Sequence, residues 1–181
     1  MTFKEYQQQA KRTVAELGSL GANLSHMVLG IISEQEEFLK ALVENDKVNI
    51  IEESADAIWY IANYCNFRDF DLQEIYDTKE DTIIEAWETE VSGYEVQISK
   101  LADYVKKFIA YGKPLNSKDE INCLKILLDI ICGDIIELNG NVEKALQNNI
   151  DKLKIRFPDD KFTEQNALNR NLKEERKELE K

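Results

Sequence analysis

Residues 50–65 read Ile-Ile-Glu-Glu-Ser-Ala-Asp-Ala-Ile-Trp-Tyr-Ile-Ala-Asn-Tyr-Cys. Glu53, Asp56, Tyr60 and Asn63 fall at i, i+3, i+7 and i+10, which is one stripe of an α-helix. Ile50, Ile51, Ala55, Ile58, Trp59, Ile61, Ala62 and Cys65 fill most of the remaining circumference. A helix apolar on most sides is a buried one, and an acidic stripe inside it needs a partner.

The preceding segment supplies one. Glu34 and Glu37 also stand at i, i+3, between Met27-Val-Leu-Gly-Ile-Ile and Phe38-Leu-Lys-Ala-Leu-Val. A short polar turn, Glu44-Asn-Asp-Lys, joins this helix to the next, so the two are expected to pack antiparallel. Four carboxylates facing one another cannot all stay ionised without a cation between them. The natural occupant is a hard divalent ion held by oxygens, Mg²⁺ first and Mn²⁺ as a substitute. Acidic residues number 35 of 181, so ExxE spacing also arises by chance. Glu85-Ala-Trp-Glu88 and Glu175-Arg-Lys-Glu178 read as such decoys on solvated faces.

The rest of the chain repeats the helical period. Two prolines and seven glycines leave little punctuation for a sheet, and apolar residues recur at three and four throughout. The pattern predicts helices over 3–17, 26–44 and 48–67, with a loop near Gly18–Ser25. A short helix follows Asp69 or Asp71, and a longer one covers 80–111, bent at Gly93. Tyr111-Gly-Lys-Pro breaks it, and Ser117-Lys-Asp-Glu120 reads as a capping box opening a helix that stops near Gly140. A helix over 142–156 ends before Phe157-Pro158, and Thr163 caps a charged tail helix. The fold class is all-α.

Composition removes several functions. Lys and Arg number 23 against 35 acids, a net charge of -12 that repels phosphate backbones and anionic lipid. Neither a nucleic acid nor a membrane is an expected partner. No apolar run approaches the roughly 20 residues of a membrane span, and the opening MTFKEYQQQAKRT lacks the apolar core of a signal peptide. Cys65, Cys123 and Cys132 sit in apolar helical contexts without a CxxC, as reduced core residues of a cytoplasmic protein do. The single histidine, His26, rules out His-rich metal sites. Eleven residues from Glu37, about 16 Å along a helix, it is too far to share a metal and reads as a satisfied core histidine, the alternative being contact with the far end of a substrate.

At these residues the chain resembles a family. Gly30-Ile-Ile-Ser-Glu34-Gln-Glu-Glu37-Phe, followed by Glu53-Ser-Ala-Asp56-Ala-Ile-Trp-Tyr60, is similar to the ExxE…ExxD signature of the all-α nucleoside-triphosphate pyrophosphohydrolases, which include MazG-like enzymes and dimeric dUTPases. Asn149-Ile-Asp-Lys152-Leu-Lys-Ile-Arg156-Phe-Pro-Asp-Asp-Lys161-Phe resembles the segment closing many MazG-like domains. The likeness covers residues 3–65 and 142–170 best. It implies a helical bundle holding Mg²⁺ through Glu34, Glu37, Glu53 and Asp56, with one glutamate as general base. It implies cleavage of a nucleoside triphosphate between the α and β phosphates, giving a monophosphate and pyrophosphate. Tyr60 matches a family position that contacts the nucleotide, and Asn63 either reads a base edge or caps a buried carbonyl. Glu36 departs from the pattern, standing where the family often has glycine.

A triphosphate entering an acidic protein needs local positive charge. Residues 152–181 carry +2 against -14 for the rest, and Lys152 and Arg156, at i, i+4, suit phosphate oxygens. The middle of the chain, Tyr94 to Leu115, looks like another copy of the first motif helix, with Asp129 standing where ExxD belongs. Gln97, Lys100 and Ile126 replace three of its four acids. The expected organisation is one domain over 1–181, with a metal-binding half at 1–66, a degenerate half at 91–156 and a charged tail helix at 157–181. The family usually builds its bundle by pairing protomers, so a homo-oligomer is also within the resemblance. The alternatives are a non-enzymatic helical interaction protein and a pseudoenzyme that binds a nucleotide without cleaving it.

Overall fold

A computed structural model describes residues 1–78 and 93–180. Its helices are α1 (Phe3–Ala10), α2 (Leu20–Glu44), α3 (Lys47–Arg68), α4 (Leu72–Asp77), α5 (Tyr94–Tyr111), α6 (Ser117–Glu137), α7 (Val142–Arg156), α8 (Glu164–Leu168) and α9 (Leu172–Leu179), with a 3₁₀ turn at Lys11–Thr13. No strand occurs among the described residues. The all-α expectation holds. The span 79–92, and with it the Glu85–Glu88 pair, lies outside the described residues.

α2 and α3 form the principal hairpin. Asn45 closes α2 in the left-handed region, and the Asp46 side chain accepts from Val48 N and Asn49 N to open α3. α5 and α6 form a second hairpin, with α5 against α2 and α6 against α3. α1 and α7 cover the other flank of α3, α4 lies between α1 and α6, and α9 lies on α7. The core joins Leu24, Met27 and Ile31 of α2 to Ile58, Ile61 and Cys65 of α3, Leu101 of α5, Leu124 and Leu127 of α6, and Leu146 of α7. All three cysteines are free and buried. No described helix is long and apolar enough to cross a membrane.

Several boundaries differ from the sequence reading. The first helix ends its α-helical part at Ala10 and its 3₁₀ turn at Thr13. α2 begins six residues early because Ser19 caps it, accepting from Ala22 N, while the turn falls on Gly18 at φ +77°. Gly21, assigned to a loop, lies inside the helix, where a Cβ would meet Ile109 at 2.8 Å. Asp71 rather than Asp69 caps α4. Asn116, not Ser117, caps α6, so the capping box is absent. Its supposed partner Glu120 is fully buried and accepts from Tyr64 Oη at 2.6 Å and from both Arg68 Nε and Nη2 at 2.9 and 2.7 Å. The tail is two helices, α8 capped by Thr163 and α9 by Asn171.

Candidate active site

The antiparallel packing of α2 on α3 turns two ordinary helical repeats into one cluster. Glu34 and Glu37 from α2 and Glu53 from α3 each present a carboxylate oxygen, and all three lie within 4.8 Å of one another. Glu53 is only 8% exposed, Glu34 is half-buried and Glu37 is exposed, so the group opens from core to solvent. Burial, joined by the charges of Asp56 and Glu53 and a hydrogen bond to Glu53, pushes the Glu34 carboxyl up to about 9. Burial, with Asp56 and Glu52 beside it, pushes Glu53 up to about 7. Burial and like charge without a nearby counter-charge favour the protonated form of both carboxyls. The extra acid Glu36 points outward and pairs with Lys40 at 2.7 Å, outside the cluster.

Asp56 borders this group in a different way. Asn149 Nδ2 donates to its Oδ1 and Lys152 Nζ to its Oδ2. Asn149 is fixed in turn by Tyr6, whose hydroxyl donates to Asn149 Oδ1 at 2.8 Å and to Ala55 O at 3.1 Å. Each carboxylate oxygen has two lone pairs, so Asp56 retains acceptor capacity on both. Lys152 requires a correction. It is 0% exposed and spent on Asp56 and on Glu52, at 3.1 Å, so it orients a carboxylate and offers no ammonium to a phosphate. Burial works to discharge it, but the two acids outweigh that and raise its pKa.

The carboxylates open onto a cavity of about 310 Å³. One wall is aromatic: Trp59 and Tyr60 stand edge to face at 5.0 Å, with Phe157 and Phe162 across from them at 5.8 Å from each other. Trp59 Nε1 donates to Thr13 Oγ1 at 3.3 Å, fixing the indole. Tyr60 lies directly over Gly30, where a Cβ would come within 2.1 Å of its ring, so only glycine admits the ring at that place. Burial, then the charge of Glu34, raises the Tyr60 hydroxyl.

His26 also lines this cavity, edge-on to Tyr60 at 5.9 Å. Its Nδ1 is buried with no hydrogen-bond partner among the described residues, which differs from a satisfied core histidine. Burial lowers its pKa and keeps the ring neutral. Asn63 takes the second of its two readings and caps a buried carbonyl. It is fully buried, donates to Trp59 O at 3.1 Å and accepts from Asn66 at 3.1 Å, serving the backbone of α3 away from the cavity.

Two arginines, Arg156 and Arg170, complete the lining. Both are bound by Glu175, which is 2% exposed. The solvated-face reading of Glu175 is therefore overturned: α9 folds back on α7 and buries it. Arg170, Trp59, Phe157 and Phe162 went unmarked as site residues in the sequence. Nothing local to the tail distinguishes Glu175 from its charged neighbours Glu174, Arg176 and Lys177.

Neither the curated proteins nor the solved structures contain a match to this chain. Residues 23–85 match the MazG nucleotide pyrophosphohydrolase domain. That stretch contains Glu34, Glu37, Glu53, Asp56 and Tyr60, so the resemblance read from the sequence is borne out over these residues, which are similar to the MazG-like all-α domain.

Proposed function

We propose that the protein is a divalent-ion-dependent nucleotide pyrophosphohydrolase that converts a nucleoside triphosphate, ribo or deoxy, to the monophosphate and pyrophosphate. The observation that carries this reading is the convergence of three carboxylates from two helices at the mouth of an aromatic-walled cavity. A hard oxygen-binding ion such as Mg²⁺ fits that donor set, with Glu34, Glu37 and Glu53 as its holders and Asp56 as a fourth. When bound, it would supply charge for the bridging phosphate oxygens and acidity for a water.

The chain's own residues account for the rest. Trp59, Tyr60, Phe157 and Phe162 offer faces and edges for a base and exclude water from that end. His26, which lines the same cavity edge-on to Tyr60, adds a third kind of ring there. One glutamate of the cluster would take the proton of the attacking water as general base. Lys152 and Asn149 hold Asp56 in one orientation.

The test is pyrophosphate release with Mg²⁺ from canonical and damaged NTPs and dNTPs. Pyrophosphate and a monophosphate in equal amounts, abolished by EDTA, are expected. Phosphate as the only inorganic product would reject the reading. Nucleotide binding without turnover would mark a pseudoenzyme, and neither binding nor turnover a helical interaction protein.

A further inference from the structure

The tail carries a second piece of chemistry. Glu175 on α9 is almost wholly buried, yet its neighbours in sequence are solvated. Its Oε1 accepts from Arg156 Nε at 3.3 Å and its Oε2 from Arg156 Nη2 at 2.6 Å. The same Oε2 accepts from Arg170 Nε and Nη2 at 3.3 and 2.9 Å. Each guanidinium thus spends its Nε–Nη2 edge on one carboxylate. The Nη1 group of each has no protein acceptor among the described residues, and both arginines line the cavity beside the carboxylate cluster. α9 is itself pinned to the α2–α3 turn: Arg176 donates to Asp46 at 3.1 and 3.2 Å and to Asn49 at 2.6 Å.

Two guanidiniums side by side repel, and in this cavity they also face acids. Asp56 and Glu52 both act electrostatically on Arg170. An arginine left unheld there would fall onto those carboxylates and cancel the cluster. A buried counter-charge behind the pair prevents this and leaves one net positive charge.

We propose that the C-terminal segment is part of the site, with Glu175 a positioning residue that holds Arg156 and Arg170 so that their free edges take phosphate oxygens of the substrate. Arg170 is thereby a further binding residue, contributed by a segment outside residues 23–85. The inference rests on the proposed function, which supplies the phosphates. Planar guanidinium edges held in place suit paired phosphate oxygens, and pre-ordering long side chains removes the entropy that binding would otherwise cost.

The test compares wild type, Glu175→Gln, Glu175→Asp, Arg170→Ala and the exposed neighbour Lys173→Ala. Binding of inorganic tripolyphosphate with Mg²⁺ is measured by calorimetry, with KM and kcat for pyrophosphate release and Tm alongside. Glu175→Gln and Arg170→Ala should each weaken tripolyphosphate by about ten-fold or more, the loss of one charge-assisted hydrogen bond. KM should rise by a similar factor with kcat within about two-fold, as expected for a lost uniform binding contact. Glu175→Asp should recover part of the affinity, and Lys173→Ala should match wild type. Should Glu175→Gln fail to fold, Arg170→Ala decides, since that side chain is 40% exposed. Unchanged affinity in these variants, or no tripolyphosphate binding by wild type, overturns the proposal. Tighter binding by Glu175→Gln also overturns it, because Glu175 would then compete with phosphate. Arg170-dependent tripolyphosphate binding by a protein that releases no pyrophosphate supports the positioning role and rejects the hydrolase reading alone.

Discussion

The α2/α3 hairpin and the α5/α6 hairpin treat their acids in opposite ways. In the first, Glu34, Glu37 and Glu53 face one another with no basic side chain among them in the described residues, and burial and mutual charge push Glu34 up to about 9 and Glu53 up to about 7. In the second, Glu120 and Asp129 each have a cation of their own. Glu120 is bound by Arg68 and Tyr64, and Asp129 by Lys125 one turn away on the same helix. Ile126 is buried apolar surface, and Lys100 is exposed. Acids already paired are structural. Acids gathered without partners cost stability, and a fold keeps them for a ligand that neutralises them.

The sharpest way to break this contrast is to neutralise one acid in each hairpin. Glu53→Gln should cut pyrophosphate release at least about a thousandfold, roughly 4 kcal/mol of transition-state stabilisation, while relieving repulsion in the ion-free fold. Asp56→Asn should behave similarly in turnover. Asp129→Asn should leave turnover within a few fold. Comparable losses in folded Asp129 and Asp56 variants would show that the two hairpins are wrongly divided.

Stability should sort the other way. Glu120→Ala leaves Arg68 partly buried without its partner and Tyr64 without its acceptor. A loss of about 3 kcal/mol in denaturant unfolding is expected, because a broken buried pair leaves an uncompensated charge. An unchanged midpoint would mean that the second hairpin's pairing contributes little.

How much of this contrast is legible in the sequence depends on distance along the chain. The i, i+3 stripes of Glu34/Glu37 and Glu53/Asp56 are local, and one short turn brings them together, so their meeting follows from helical geometry alone. The helix over 142–156 was legible for the same reason, bounded by Asn141 and by Phe157-Pro158. Lys152 went wrong because what a polar side chain faces is set by packing partners far away, here Asp56; Asn63 bonds the carbonyl one turn back in its own helix, a local partner. Glu175 was illegible for a related reason: its burial comes from a fold-back onto α7 that no local periodicity encodes. Gly30 carried a readable residue type without a readable purpose, since the Tyr60 ring that occupies its empty side lies 30 positions on.

That contact gives a smaller test. Gly30→Ala should force Tyr60 off the cavity wall at a cost of about 1–3 kcal/mol from overpacking, and should raise KM for the nucleotide. Unaltered KM with the expected destabilisation would remove Tyr60 from the substrate-facing wall.

The pH dependence of the ion-free protein is a finer test of the same cluster. Glu34 and Glu53 have folded pKa values above the ordinary 4.5, so between that value and the raised ones the folded state binds more protons than the unfolded state. Their contribution to stability is present below about pH 4.5 and is lost as pH rises through about 7 and 9. Tm measured in EDTA should show this fall in wild type and a flatter profile in Glu34→Gln. Equal slopes would place the repulsion elsewhere.

The central claim, that these acids are gathered to hold a divalent ion, is tested most directly by Mg²⁺ titration of wild type and Glu53→Gln, with calorimetry in two buffers of different ionisation enthalpy. The account predicts that wild type binds Mg²⁺ at pH 7 with net proton release, since Glu34 and Glu53 must surrender protons to become ligands. Glu53→Gln should bind far more weakly and release fewer protons. Equal Mg²⁺ affinity in the two proteins, or no Mg²⁺ binding by wild type, would contradict it.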